Sequence, residues 1–342
     1  MSSSTSSFRR VPPTTRGPWP IVAAGFLVVL LLGGADTFLR SRNVRFALKT
    51  PLTWARTLRA LPKESESKIL LFYGSSRVNL GFSPADFDSQ VKKLGGSIRS
   101  VNLGLDGHAA GIGIVAHRDL MPACDVLMVD VMPMAPRNPG QDREWKELKS
   151  ASVLSVASDA LGAWIDRTFA FPSFQRALRN FNETLAVRRS RLHDDGWQEV
   201  NYDLGSDALK RDLAHRVEQA SSDMPDPEIV RASLRQFAGD LREIQARQHC
   251  RLVLVRMPVG YAVRQVENAK FAKLNVFGIL REELPMALII DANEEPVLRN
   301  YQAVEGSHLD GSQAARFSMD LATIIYKWLA AEDTTYARRP AG

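Results

Sequence analysis

The segment Ile69–Leu80, ILLFYGSSRVNL, carries the pattern that decides the fold class. It opens on a run of apolar and aromatic residues without alternation, as expected for a strand buried on both faces of a parallel sheet. The strand then ends on Gly74, two serines and Arg77. A glycine there permits a tight strand-to-helix turn, and a hydroxyl just after it would lie at the sheet edge. The alternative is structural, because Gly-Ser-Ser also forms an ordinary loop followed by a helix cap.

The rest of the body alternates strands with helices. Short runs rich in Val, Ile and Leu predict strands at Lys68–Tyr73, Ser97–Leu103, Val126–Val131, Leu252–Met257 and Ala287–Asp291. Helices are predicted at Pro84–Leu94, His108–Leu120, Pro227–Gln248, Val263–Leu284 and Gly311–Ala331. This order predicts an α/β fold: a three-layer α/β/α arrangement with a five-stranded parallel sheet. Ligands of such sheets bind at the carboxyl ends of the strands.

A long insert, residues 136–226, separates the third and fourth predicted strands. ELKSASVLSVASDALGAWIDR and SFQRALRNFNETLAVRRSRL indicate helices, and HDDGWQEVNYDL contains a turn with glycine. The insert supplies no obvious sheet core, so we predict a helical cap within an α/β domain spanning residues 66–335. The basic run Arg188–Arg191 is predicted to be a solvated helix face, with binding of an acidic glycan or phospholipid as the alternative.

The net charge of +6 is local to one end of the chain. Residues 1–50 contain seven Lys or Arg and one acid, Asp36, so the other residues hold 37 basic and 37 acidic side chains. A nucleic-acid partner therefore loses its main support. The composition, 45% hydrophobic and 24% charged, is that of a globular protein with a core.

The basic end flanks an apolar run. Trp19–Ala35 is uncharged, and with the next residues the apolar span approaches the roughly 20 residues that cross a bilayer, although Asp36 interrupts it. We predict a disordered tail at residues 1–18 and a membrane anchor at residues 19–39. The preceding arginines favour a cytoplasmic N-terminus, which would place the body outside the cytoplasm. The alternative is a cleaved signal peptide.

The cysteine and histidine positions predict neither a disulfide framework nor a metal site. Cys124 and Cys250 each precede an apolar run, so neighbouring strands would bring them to one edge of the sheet. A disulfide and two separate buried thiols are the alternatives. Histidines outside the C-terminal motif lack a partner at ligand spacing, so no metal site is predicted, and no cofactor.

The segment Glu305–Ala322, EGSHLDGSQAARFSMDLA, follows the last predicted strand. Glu305 and His308 stand three apart in a loop. A carboxylate so placed can bond one imidazole nitrogen and leave the other free to act as a base. A serine, a base and an orienting acid activate a nucleophile, and all three are expected at one edge of the sheet.

These motifs resemble the SGNH (GDSL-like) hydrolase superfamily. On that resemblance Gly74-Ser75-Ser76 matches the Gly-Asp-Ser block and makes Ser76 the nucleophile, with His308 as base and Glu305 as acid. VNLGLDGHAAG resembles the second block, so the backbone N–H groups of Gly107 and Ser76 would form the oxyanion hole. The third block departs from the pattern, because VDVMPMAPRN holds Asp130 near the strand end and no asparagine before Asn138.

Two arginines have an open role. Arg77 follows the predicted nucleophile and Arg256 ends the fourth predicted strand. Each is predicted to bind an anionic substrate group, and the alternative for each is a structural anchor. His108 could approach the site, but a polar helix start explains it equally.

The resemblance implies a serine esterase or O-acyltransferase, similar to envelope-bound D-alanyl transfer proteins and exopolysaccharide O-acetyltransferases. An acyl donor, a glycan acceptor or ester substrate, and a membrane-bound O-acyltransferase partner are then expected. The expected place is the inner membrane, with the body in the periplasm. The alternatives are a plain hydrolase of lipid or glycan esters and a catalytically silent glycan-binding or scaffold domain.

Overall fold

The computed structural model describes residues 67–105, 124–132, 187–222 and 226–337, with the backbone alone at 187–190 and 332–337. Its strands are β1 Lys68–Gly74, β2 Ile98–Gly104, β3 Val126–Asp130, β4 Val187–Leu192, β5 Gln198–Tyr202, β6 Arg251–Arg256 and β7 Leu288–Asp291. Five of them form an all-parallel sheet in the order β2-β1-β3-β6-β7. The five predicted strands are confirmed, with each boundary within about one residue.

Helices cover both faces of the sheet. They are α1 Ser76–Gly81, α2 Pro84–Lys93, α3 Asp207–Ser221, α4 Pro227–Gln248, α5 Tyr261–Leu274, α6 Val276–Glu283 and α7 Gly311–Ala337. Alternate residues of β1 enter two separate cores: Leu71 packs with α4, α5 and α6, and Phe72 with α1, α2 and α7. Both side chains are fully buried, worth roughly 1.5–3 kcal/mol each. The predicted α/β class with helices on both faces is therefore confirmed.

The predicted helical stretch Val263–Leu284 is helical but consists of two helices, α5 and α6. Asn275 takes a left-handed conformation with φ 54°, which ends α5 at Leu274 and starts α6 at Val276. Asparagine tolerates this conformation better than most residues, so an uninterrupted helical pattern can still hide a break. The predicted helix His108–Leu120 lies outside the described residues.

The C-terminal part of the predicted helical run SFQRALRNFNETLAVRRSRL is wrong, because its last six residues form a strand. Val187–Leu192, which includes Arg188–Arg191, is strand β4 and pairs antiparallel with β5. The turn between them places Gly196 at φ 87° and closes with a bond from His193 N to Trp197 O of 2.8 Å. Asp195 O accepts from Asn102 N at 3.0 Å, so this hairpin meets the outer edge of β2.

The predicted tail and membrane anchor, residues 1–18 and 19–39, lie outside the described residues. Among the helices that are described, none combines the length and apolar character needed to span a bilayer.

Cys124 and Cys250 are free and buried just before β3 and β6. Cys124 Sγ donates to Gln248 Oε1 at 3.3 Å. Interaction with Cys250, together with burial, raises the pKa of the Cys124 thiol. Both thiols precede paired strands, at the edge of the sheet opposite the strands' carboxyl ends, and both are free, which agrees with the alternative of two buried thiols and not with a disulfide.

We predict that Gly74→Ala destabilises the fold at the end of β1. An added Cβ would lie 2.2 Å from Val78 Cγ2 and 2.8 Å from Asp130 Cβ, both in fully packed surroundings. Overpacking of this kind costs roughly 1–3 kcal/mol of unfolding free energy. Urea denaturation measures it, with Gly205→Ala as the control, because there the nearest atom is 3.8 Å away. Equal midpoints for the two variants would contradict the close packing at Gly74.

Candidate active site

The turn after β1 gives its two serines different tasks. Ser75 is the N-cap of α1: its Oγ accepts from Arg77 N at 3.3 Å and donates to Asp130 Oδ2 at 2.8 Å. Ser75 is buried, whereas Ser76, the first residue of α1, is partly exposed. The structure therefore uses Ser75 to cap the helix and leaves Ser76 as the accessible hydroxyl.

The loop before α7 brings the predicted base and acid to that hydroxyl. His308 Nε2 lies 2.8 Å from Ser76 Oγ, and His308 Nδ1 is bonded to Glu305 Oε1. An ionised carboxylate only accepts, so Nδ1 carries the proton and Nε2 is left to accept from the serine. The three side chains, 232 residues apart at their extremes, thus meet at the carboxyl edge of the sheet.

Glu305 is held as an anion. Burial by itself would raise its pKa, but the interactions with His308, Arg216 and the backbone N–H of Ser307 together lower it to about 2. The last of these is a hydrogen bond of 2.8 Å to Oε2. A buried carboxylate that stays ionised can orient the imidazole and stabilise its protonated form.

Only part of the predicted oxyanion hole is described. Ser76 begins α1, and the first N–H groups of a helix have no partner within the helix. Gly107, the second predicted donor, lies outside the described residues, as does His108.

Asp130 occupies the end of β3, where the resembled pattern has an asparagine. It is buried, and burial raises its pKa against the opposing effects of Arg77 and Ser75. Its Oδ2 accepts from Ser75, and its Oδ1 has no hydrogen-bond partner within the described residues. In this structure Asp130 anchors the helix cap and supplies no amide donor.

The structure places both predicted substrate arginines in a buried ion-pair network. Arg77 donates to both oxygens of Glu267, at 3.3 and 2.5 Å. Arg256 shares Glu267 at 3.4 Å and donates to Asp291 at 3.1 Å. It is 1% exposed and lies 4.2 Å above the ring of Phe271.

These positions favour the structural alternative for both arginines. Burial tends to lower the pKa of Arg77, but Glu267 outweighs it and the net shift is upward. The pKa of Glu267 is lowered, because the two guanidinium groups outweigh its own burial. Guanidinium groups so enclosed are anchors, and the substrate-binding prediction finds no support in their surroundings.

Sequence reasoning missed the residues that position the site. Glu267 stands 190 residues after Arg77, and Gln198, which accepts from Asn79 in α1 at 2.9 Å, stands 119 residues away. Trp197 Nε1 donates to Leu80 O at 3.1 Å. No local sequence pattern marks these distant partners. The only sequence signal is the pair Arg77 and Arg256 at the carboxyl edge of the sheet, since two arginines that become buried there require acidic partners.

Other side chains with metal-binding chemistry remain dispersed. His193 bonds Glu199 at 3.0 Å across the β4–β5 hairpin and stacks on Trp197. Within the described ranges no group of three or more His, Cys, Asp or Glu could hold a metal ion.

Comparison with models of known protein families gives no match to the chain, and comparison with curated proteins also gives none.

We predict that Glu267→Gln destabilises the protein by about 3–5 kcal/mol, because it leaves two buried guanidinium groups without their shared anion. The matched control is Glu228→Gln, which removes an exposed partner of Arg231 and should cost under about 1 kcal/mol. Denaturant titration compares the two variants. A loss of stability at Glu267 as small as at Glu228 would show that the network contributes little.

Proposed function

We propose that this protein is a serine esterase or O-acyltransferase of the SGNH type that works through an acyl-Ser76 intermediate. The observation that carries the proposal is the 2.8 Å contact between Ser76 Oγ and His308 Nε2, with Glu305 on the other imidazole nitrogen. Nucleophile, base and orienting acid in this relation are the parts that acyl transfer requires.

The first half-reaction transfers the acyl group to the protein. His308 Nε2 takes the hydroxyl proton as Ser76 Oγ attacks the ester carbonyl, and the backbone N–H of Ser76 stabilises the oxyanion. Collapse of the tetrahedral intermediate breaks the bond to the leaving alcohol, which takes the proton from His308. Glu305 stabilises the imidazolium that exists between these two proton transfers.

The second half-reaction releases the acyl group. His308 takes a proton from an incoming hydroxyl, whose oxygen attacks the acyl-Ser76 ester, and returns the proton to Ser76 Oγ. A sugar hydroxyl gives transfer and water gives hydrolysis. No cofactor enters either step, and the two outcomes differ only in which hydroxyl reaches the acyl-enzyme.

The topology supports the SGNH/flavodoxin-like assignment. The nucleophile follows the first strand of a five-stranded parallel sheet, and the acid and base precede the last helix. Asp130 at the third block leaves one oxyanion donor fewer than the superfamily pattern, a loss worth about 10²–10³ in rate. We therefore expect slow chemistry, and a silent glycan-binding or scaffold domain is the second candidate that Asp130 favours.

The N-terminal apolar run supports a site of action at the membrane. We propose a single-pass inner-membrane protein with a periplasmic body that acts on acyl esters of envelope glycans beside a membrane-bound O-acyltransferase. Residues 19–39 would form the anchor.

We predict that a fluorophosphonate labels Ser76 and that the label depends on the base. His308→Ala should slow labelling by about 10²–10⁴-fold, because proton removal is indispensable. Glu305→Ala should slow it less, since water partly replaces the carboxylate in orienting the imidazole. Ser76→Ala should abolish it.

The control is Ser75→Ala, which removes the neighbouring hydroxyl and its bond to Asp130. Mass spectrometry of this variant should still find the label on Ser76. Labelling that survives Ser76→Ala would assign the chemistry to another residue. A folded wild type that no acyl donor or fluorophosphonate labels would favour the silent domain.

For the topology, we predict that a reporter active only in the cytoplasm stays inactive when it is fused after Gly342 of the full chain. A periplasmic reporter at the same position should be active and serves as the control. A bright cytoplasmic reporter would contradict the proposed location.

A further inference from the structure

The insert helix α3 packs against the segment that carries the predicted acid. Leu209, Leu213 and Arg216 follow helical spacing, so they share one face of α3. Leu209 packs with Val304, and Leu213 and Arg216 lie next to Gly306, close to where a Cβ on that glycine would stand. The insert therefore contacts the acid-and-base loop directly.

Gly306 makes this close approach possible. It has φ 98°, and an added Cβ would lie 3.0 Å from Leu213 Cδ1 and 3.4 Å from Arg216 Cβ. On its other side, its carbonyl accepts from Gly260 N at 2.9 Å, at the start of α5. The acid segment is thus held between the insert and the sheet domain.

Arg216 brings a positive charge to the far side of the carboxylate. Its Nε lies 4.0 Å from Glu305 Oε2, the oxygen that does not bond His308, and its Nη1 donates to Gln219 Oε1 at 3.2 Å. The Arg216 side chain is 32% exposed, while Glu305 is buried. A buried anion facing one imidazole leaves its second oxygen to be stabilised from elsewhere, and the Ser307 N–H and Arg216 do this.

We propose that Arg216 of the insert is a positioning residue that holds the Glu305 carboxylate in the orientation His308 needs. This inference rests on the proposed function. Arg216 acts through Glu305 and has no described contact with Ser76. The insert then contributes a residue to the active site and is more than a cap over it.

The test compares Arg216→Gln, Arg216→Lys and Arg211→Gln with the wild-type full chain. Glutamine keeps the inner methylene groups but removes the charge, lysine keeps the charge, and Arg211 is an exposed cation of the same helix. The probe is a small uncharged fluorophosphonate, titrated to separate the maximal labelling rate from the half-saturating concentration.

Arg216→Gln should lower the maximal labelling rate about three- to tenfold at an unchanged half-saturating concentration, a modest effect because water screens a partly exposed pair. Arg216→Lys should recover most of the rate, and Arg211→Gln should match the wild type. Unchanged labelling in Arg216→Gln would overturn the inference. An effect on the half-saturating concentration alone, or on anionic esters alone, would assign Arg216 to substrate binding instead.

A second readout requires no chemistry. We expect the proton between His308 Nδ1 and Glu305 to give a downfield magnetic resonance signal, which should shift or broaden in Arg216→Gln and return in Arg216→Lys. A signal identical in all variants would overturn the inference. Because this signal is recorded without substrate, it tests Arg216 even if the wild type resists labelling, an outcome that would count against the proposed function alone.

Discussion

A buried positive charge directly after the accessible serine constrains the whole region around the site. Arg77 is enclosed at the start of α1, and an uncompensated charge there would be strongly destabilising. Glu267 from α5 neutralises it, and the same carboxylate serves Arg256 at the end of β6. Arg256 in turn requires Asp291 at the end of β7. This charge therefore links the Ser76 turn to the far half of the sheet.

The second constraint is that the adjacent serines Ser75 and Ser76 have different hydrogen-bond partners. Ser75 points to Asp130 at the end of the neighbouring strand β3, so the backbone of the turn is fixed from the sheet side. Ser76 is then the hydroxyl left to meet His308. Asp130 performs this anchoring role through Oδ2, which accepts the Ser75 hydroxyl.

The insert contacts both halves of the site. Its hairpin bonds α1 through Trp197 and Gln198, and its helix α3 packs beside Gly306, next to Glu305, through Leu213 and Arg216. Residues that approach from both sides can hold the serine and the histidine loop at a fixed separation. Precise placement of this kind is what proton transfer over one hydrogen bond depends on.

The sequence by itself determined the features that depend on short-range patterns. Unbroken apolar runs located the five strands, Gly-Ser-Ser located the turn after β1, and the spacing of Glu305 and His308 indicated an oriented base. Only the tertiary structure decided which side chains form ion pairs across long sequence separations, such as Arg77 with Glu267 and Arg216 with Glu305. It also decided the strand at Val187–Leu192 and the break at Asn275. The physical reason is that sequence periodicity shows only which face of an element is buried. Tertiary contacts decide the partner of a buried charge, the pairing of a polar strand and the place of a single left-handed residue.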